Sequence, residues 1–387
     1  MVSLTTEGDN TMETYYYVKN GLVAGLAALL WGLAGASPGM PAASVKPQLL
    51  ADVATIAPGE PFHAGVLFKM AEGWHIYWKN PGDAGLATAV EWQLPEGFSA
   101  GPLRWPQPKT FVQPGDIVGY GYEKEVLLEA TITPPKDLSP GAAVAISAKA
   151  TWLGCGKLCV PGKEDLTLDL TVKAAADTAS TPANRDLFAT WEVQMPPPAP
   201  DFALPDQAGA RASLSDYKGR VVVLEWFNPD CPFVQRHHAQ RTTMIDLAGK
   251  YAPKGVVWLA VNTTYYMTPE TTAEARTKWK MDYPVLIDRQ GKVGRAYGAK
   301  ATPDMFVIDR DGEIVYQGAI DNDPPGEMKS PVNYVDKALT ELLAGKPVSE
   351  PKTTPYGCSV KYAPPSVYDF SMDSIEGRPV DLRQHAG

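Results

Sequence analysis

Residues 221–235 read Val221-Val-Val-Leu-Glu225-Trp226-Phe-Asn-Pro-Asp-Cys231-Pro232-Phe-Val-Gln235. The apolar, β-branched start has the pattern of a strand buried on both faces, and Asn-Pro-Asp ends it. Pro232 suits the first turn of a following helix, where a missing N–H costs nothing. Cys231 therefore stands where a buried strand gives way to a helix. The free N–H groups and the dipole of that first turn favour a thiolate over a thiol, and can lower the ordinary thiol pKa of about 8.5 by a unit or more. The expectation is a reactive nucleophile at Cys231; the alternative is a buried structural thiol. His237 and His238 follow two turns on and are expected to face solvent or pack along the helix rather than act as bases. Glu225 is a candidate buried proton carrier or the partner of a lysine.

Outward from this stretch, residues 201–362 alternate strand and helix patterns. Phe233–Lys250 reads as a helix, Val256–Asn262 as a strand, and Thr268–Trp279 as a helix capped by Thr268. Tyr283–Asp288, Met305–Asp309 and Ile314–Gln317 supply further strands, the last two joined at Arg310-Asp-Gly, and Val332–Leu343 closes with a helix. A βαβ unit followed by a hairpin and a helix is the thioredoxin-like order.

Residues 44–173 read differently. Short β-rich runs, Phe62–Phe68, Ala89–Trp92, Val126–Thr133, Val144–Leu153 and Leu166–Val172, are separated by Pro- and Gly-containing turns, which predicts an all-β sandwich. Residues 174–200 end Met195-Pro-Pro-Pro-Ala-Pro and predict an extended, semi-rigid linker. The fold class is thus multidomain: an immunoglobulin-like sandwich followed by an α/β thioredoxin-like domain.

The chain has 387 residues, 36 of them Pro and only four Cys, and a formal net charge of −9. With no basic stripe to offset that charge, nucleic acid is excluded as the main partner. Gly21–Ala34 is an apolar stretch after Lys19, followed by a small-x-small site; residues 1–36 read as a secretory signal peptide, with an uncleaved anchor as the alternative. Export would place the chain in a periplasmic or other oxidising compartment, where disulfides persist. Near the end, Asp369-Phe370 with Gly377, Leu382 and Gly387 repeats the offsets of Asp201-Phe202 with Gly209, Leu214 and Gly219. Residues 363–387 therefore read as the start of a second, truncated domain of the same kind.

Cys155 and Cys159, in Trp152-Leu-Gly-Cys-Gly-Lys-Leu-Cys-Val-Pro161, can close a small disulfide loop, structural or redox-active. No neighbouring His or second Cys pair completes a zinc site, and no metal or cofactor is expected. Cys358, in Pro355-Tyr-Gly-Cys-Ser, lies on a Pro-flanked tail that can fold back; it is the candidate to resolve an oxidised Cys231, or else an exposed thiol without a role.

Family resemblances sharpen these readings. The Asp201-Phe202 opening, Trp226-Phe-Asn-Pro-Asp-Cys-Pro and Tyr297-Gly-Ala-Lys-Ala-Thr-Pro303-Asp-Met-Phe-Val-Ile-Asp resemble a redoxin of the alkyl hydroperoxide reductase/thiol-specific antioxidant type. That resemblance implies a cis peptide before Pro303, packed against the reactive cysteine. Two departures stand out: Val234 occupies the place of a thioredoxin's second cysteine, and Asn228 and Leu224 replace the Thr and Pro of typical peroxiredoxins. Gly73-Trp-His-Ile-Tyr-Trp-Lys-Asn-Pro-Gly-Asp83, Gly119-Tyr-Gly-Tyr122 and Trp152-Leu-Gly-Cys…Cys-Val-Pro resemble the amino-terminal immunoglobulin-like domain of the DsbD family. There the cysteine pair carries electrons from a membrane module, with Trp74, Tyr77, Trp78 and Tyr122 as candidates to shield it here. The tail from Ser366 resembles, weakly, the opening of a glutathione peroxidase.

Together these imply an exported thiol–disulfide oxidoreductase using Cys155/Cys159 and Cys231/Cys358, with Pro232, Pro303 and Glu225 in support. Its partners would be a membrane electron donor of the DsbD type or a thioredoxin-like protein, and a disulfide or peroxide substrate. The alternatives are a thiol-dependent peroxidase and a non-enzymatic binding module with structural disulfides.

Overall fold

The computed structural model describes residues 44–113, 115–173 and 180–364, and the backbone of 371–373 and 379–381. The expected signal segment 1–36 and most of the 363–387 tail lie outside the described residues. No helix among the described residues is long and apolar enough to cross a membrane.

The first domain is a sandwich of two sheets. One has the order Val45–Ala51, Phe62–Met70, Glu125–Thr133, Ser99–Ala100; the other is built on the long hairpin Ala143–Cys155/Cys159–Val172, with His75–Gly82 and Ile117–Glu123 beside it. Strict alternation along the hairpin, with Val144, Ile146, Ala148, Ala150 and Trp152 buried, turns one face inward. There Trp152 meets Phe68 edge-on at 5.6 Å between ring centres, over a core that includes Ile56, Phe62, Leu127 and Ile132. The sequence reading missed the strand His75–Gly82, whose run of Tyr77, Trp78 and Lys79 does not alternate.

The second domain has one five-stranded sheet in the order Val285–Ile287, Val257–Asn262, Val222–Trp226, Met305–Ile308, Ile314–Gly318. The first three strands are parallel, Met305–Ile308 runs antiparallel to them, and Ile314–Gly318 turns back antiparallel to Met305–Ile308. Thr268 caps the helix Pro269–Lys278 as expected, its side chain accepting from the Thr271 N–H. The single helix expected over Phe233–Lys250 is broken. A turn of α-helix, Pro232–Gln235, runs into a π-turn, Arg236–Gln240, and Thr242 then sits in the left-handed region at φ 53° before helix Thr243–Tyr251 begins.

Beyond the last helix, Tyr334–Leu343, the chain does not dangle. It climbs beside the edge strand, with the Gln317 N–H bonded to Pro351 O and the Thr353 N–H to Gln317 O. Cys358–Ser359 then pairs with Ala301–Thr302. A further hairpin pairs Ser371–Asp373 with Pro379–Asp381, in the same register relative to Phe370 as Ala203–Pro205 with Arg211–Ser213 relative to Phe202.

The linker also differs from the extended form expected. Residues Arg185–Glu192 are helical, and Phe188, Trp191 and Met195 join the sandwich core. Apolar spacing at 188, 191 and 195 follows a helical face, and the Pro cluster after it hides that signal. Pro197 O and the Ala199 N–H then bond directly to the second domain's hairpin, at Ile314 and Gly312. Arg104 spans the junction. Its guanidinium donates to Glu129 at 3.1 Å, Glu192 at 2.6 Å, Glu313 at 3.2 Å and the Pro196 carbonyl at 3.2 Å. Glu129 and Glu313 are buried, so this cation offsets two desolvated carboxylates. Replacing it by an apolar side chain of similar length, Arg104→Met, is expected to cost about 3–5 kcal/mol in denaturant unfolding; a loss below about 1 kcal/mol would mean that the junction does not depend on it.

Candidate active site

Every residue of the Val222–Trp226 strand is buried, and the chain leaves it through a tight turn in which the Cys231 N–H donates to Asn228 O and the Asp230 N–H to Asn228 Oδ1. Pro232 takes the first helical position and Cys231 the cap, with the Gln235 N–H closing on its carbonyl. The Cys231 side chain is 1% exposed, and its Sγ donates to the Thr302 carbonyl at 2.9 Å. The Thr302–Pro303 bond is cis.

Thr302 also pairs across the strand with Cys358, and its hydroxyl donates to the Cys358 carbonyl at 3.3 Å. Both free cysteines of the described residues thus meet at one residue. That approach needs a glycine just before Cys358. Gly357 has φ 138°, and a Cβ there would fall 2.1 Å from the Thr302 carbonyl oxygen.

The two thiols are displaced in opposite directions. Burial pushes Cys231 up, but hydrogen bonds from the Thr302 side chain, the Val234 N–H and Cys358 outweigh it, and the net displacement is downward. The thiol's own bond to the Thr302 carbonyl favours the protonated form, so those donors act mainly once the proton has left. Burial and the neighbouring Cys231 push Cys358 up to about 11, against a weaker pull from Lys361. One sulfur is the better thiolate and the other holds its proton beside it.

Behind Cys231 lies a polar cluster that sequence reading did not find. His237 and His238 are both buried, so of the two roles expected they pack inward rather than face solvent. Consecutive residues on a regular helix point about 100° apart; the π-turn at Arg236–Gln240 widens the backbone where both rings turn inward. Glu225 is fully buried and pairs with His238 Nε2 at 2.5 Å, not with a lysine, and accepts from Trp258 Nε1 at 3.2 Å and Tyr283 Oη at 3.3 Å. His238 stacks on Trp279 at 5.1 Å.

His237 lies 3.1 Å from Tyr356 Oη, which in turn donates to Asp321. Burial pushes His237 down to about 4, so it is neutral at ordinary pH and anchors the tail segment that carries Cys358. Asp304, after the cis-proline, is also buried; burial pushes its carboxyl up to about 6, and Oδ1 has no partner among the described residues.

In the sandwich, Cys155 and Cys159 form a disulfide at the end of the long hairpin, where they are register partners. Cys155 is buried and Cys159 exposed. Tyr77 Oη lies 3.6 Å from Cys155 Sγ, and the Trp74 ring stands over Gly156. Of the four aromatics expected to shield the pair, these two do so. Trp78 instead packs on Tyr120, and the Tyr122 hydroxyl donates to Pro106 O. His75, unremarked in the sequence, is the register partner of Cys155, with its ring against Tyr77 and Phe111.

Among the described residues the one cluster of metal-ligating groups is His63, Glu129 and Glu192, and Arg104 already holds both its carboxylates. Alkylation of Cys231 is expected to titrate below the midpoint of an ordinary thiol. Cys358→Ala removes one donor to the thiolate and should move that midpoint upward. An unchanged midpoint in the variant would refute the pairing.

Residues 45–171 match the family "Thiol:disulfide interchange protein DsbD, N-terminal", and residues 197–317 match the AhpC/TSA family. A thiol-disulfide oxidoreductase ResA from Geobacillus kaustophilus is 35% identical over 117 residues, 30% of this chain and 64% of the relative. A ResA from Bacillus thuringiensis is 31% identical over 134 residues, 34% of this chain and 73% of the relative. The chain spans 64% of the first two curated relatives it matches. A solved structure of an uncharacterized conserved protein from Geobacillus kaustophilus is 33% identical at a TM-score of 0.41, covering 44% of this chain and 93% of its own. Through its second domain the chain belongs to the thiol-disulfide oxidoreductase family that includes ResA, with a domain of the DsbD amino-terminal type ahead of it.

Proposed function

We propose that the protein is an exported thiol–disulfide oxidoreductase in which Cys231 is the nucleophile and Cys358 the resolving thiol. The observation that carries this reading is their meeting at Thr302 with opposite displacements of their acidities. The Cys231 thiolate attacks a substrate disulfide, one substrate sulfur leaves as a thiolate, and a mixed disulfide forms. Cys358 then gives up its proton, attacks Cys231 Sγ, and releases the second substrate thiol. Cys231–Cys358 is left oxidised, with two electrons transferred.

Glu225, six residues before Cys231 and bonded to His238, can relay the proton that Cys231 loses, while the cis-Pro303 loop frames the sulfur. Cys155–Cys159 is a second two-electron centre, whose redox partner is a thioredoxin-like protein or a membrane donor of the DsbD type. A periplasmic location suits a disulfide of this kind.

A thiol-dependent peroxidase is the second reading, favoured by the AhpC/TSA match. In it Cys231 would become a sulfenic acid and Cys358 would condense with it. The Asn228 and Leu224 replacements argue for disulfide exchange first.

The test is reduction of a small aromatic disulfide by the pre-reduced protein. Cys231→Ser is expected to abolish it. Cys358→Ser is expected to complete the first step and stall as a mixed disulfide on Cys231. Full activity in Cys231→Ser would overturn the assignment, and rapid consumption of hydrogen peroxide with weak disulfide reduction would favour the second reading.

A further inference from the structure

Covalent fusion of two redox centres invites exchange between them within one molecule, yet the docked domains hold them apart. The contacts across the junction are Lys79 with Asp311, Asn80 with the Gly345 carbonyl, Arg104 with Glu313, and Gln107 with the Val348 carbonyl. On the redoxin side Asp311 and Glu313 belong to the hairpin turn at the sheet end where Val222 pairs with Ile308. Cys231 lies beyond Trp226, at the opposite end, about 13 Å of strand away.

On the sandwich side, Lys79 lies four residues along the strand from His75, the register partner of Cys155, another stretch of about 13 Å. The apolar cluster that holds Cys231 consists of redoxin residues, and Trp74, His75 and Tyr77 beside the disulfide all belong to the sandwich. Nor can the junction swing freely. Met195 is in the sandwich core, while Pro197 and Ala199 are already bonded to the redoxin hairpin, leaving no slack. Separation would also strip buried Glu313 of Arg104.

We propose that the two centres exchange electrons in trans, the disulfide hairpin of one molecule docking on the Cys231 site of a second copy; this rests on the reading of Cys231 and Cys358 as an exchange pair. The hairpin tip has the shape and chemistry for it. Leu158 is 75% exposed and Val160 43% exposed, flanking the exposed residue Cys159, and Lys157 adds a cation.

The Cys231 site presents the complement. Exposed Asp230 precedes the nucleophile, and Tyr265 and Tyr266, 41% and 48% exposed, follow the strand Val257–Asn262 at the same sheet end, with the Tyr266 hydroxyl 3.4 Å from Asp230. A cation-bearing apolar tip thus meets an anion-bearing aromatic rim.

The Cys231 thiolate of one copy attacks Cys159 Sγ of the other, the Cys155–Cys159 bond breaks, and Cys155 leaves as a thiolate and takes up a proton. Cys358 of the first copy then loses its proton and attacks Cys231 Sγ, and Cys159 leaves and is protonated. One copy ends with a sandwich dithiol and the other with a Cys231–Cys358 disulfide; two electrons have crossed, the two protons taken up by Cys155 and Cys159 balance the one Cys231 lost to solvent on ionising and the one lost by Cys358, and no outside oxidant is consumed.

The test uses two full-length variants. One, Cys231→Ser/Cys358→Ser, keeps only the sandwich disulfide, and the other, Cys155→Ser/Cys159→Ser, keeps only the redoxin dithiol. Mixed, they should exchange electrons, read by mass-resolved alkylation, at a rate proportional to the concentration of each. Wild type prepared with its sandwich oxidised and its redoxin reduced should rearrange at a rate that rises with total protein. Leu158→Asp in the first variant should slow exchange about tenfold.

A wild-type rate independent of concentration with an inert mixture would overturn the proposal in favour of exchange within one molecule. An inert mixture and an inert wild type would overturn it in favour of separate partners. In either case, the second variant's reduction of a small aromatic disulfide reports separately on Cys231 and Cys358. If that reduction persists, only the trans exchange falls; if it is lost, the underlying reading falls with it.

Discussion

Thr302 holds the redoxin domain's two free thiols together. Its carbonyl accepts from Cys231 and its backbone pairs with Cys358, so a thiol from the strand–helix junction and another 127 residues further along the chain share one residue. Much of the second domain serves that meeting. The edge strand guides the tail upward through Gln317, Thr353 and Tyr316, whose hydroxyl lies 2.7 Å from Thr353 Oγ1. His237 and Asp321 fix Tyr356 two residues before Cys358, and Gly357 allows the last close approach. A thioredoxin keeps its two cysteines on one helical turn; here Val234 fills that place, and a long-range strand pairing supplies the second sulfur instead.

The polar cluster under Cys231 follows from the same constraint. A carboxylate at Glu225 in the centre of a buried strand is costly unless satisfied. His238, Trp258 and Tyr283 supply its partners, and the π-turn is the local departure where the helix brings His238 to it. Both histidines are buried, His238 against Glu225 and His237 against Tyr356.

What could be read from the sequence was what local pattern controls. Val221–Trp226, Cys231 and Pro232 announce a strand, a nucleophile position and a helix start. Thr302-Pro303 is recognisable by its motif, and the regular alternation of Val144 to Trp152 gives a sandwich strand. What escaped depends on distance or on departures from regular geometry. The inward turn of His237 and His238 needs a π-turn, for which no residue pattern is diagnostic. That the Cys358 tail can fold back was legible from its Pro-flanked sequence, but not the strand pairing with Thr302 that fixes it or the Tyr356 contacts that hold it. The helix Arg185–Glu192 was hidden by the prolines after it, and with it the fact that the two domains are joined without slack.

The account stands on Cys231 and Cys358 forming one functional couple. Its most direct measurement is disulfide mapping by mass spectrometry after the protein, with its sandwich bond intact, receives one equivalent of oxidant. The account predicts a Cys231–Cys358 bond beside an unchanged Cys155–Cys159 bond. A Cys231 that remains a free thiol, or that oxidises without ever linking to Cys358, would contradict it.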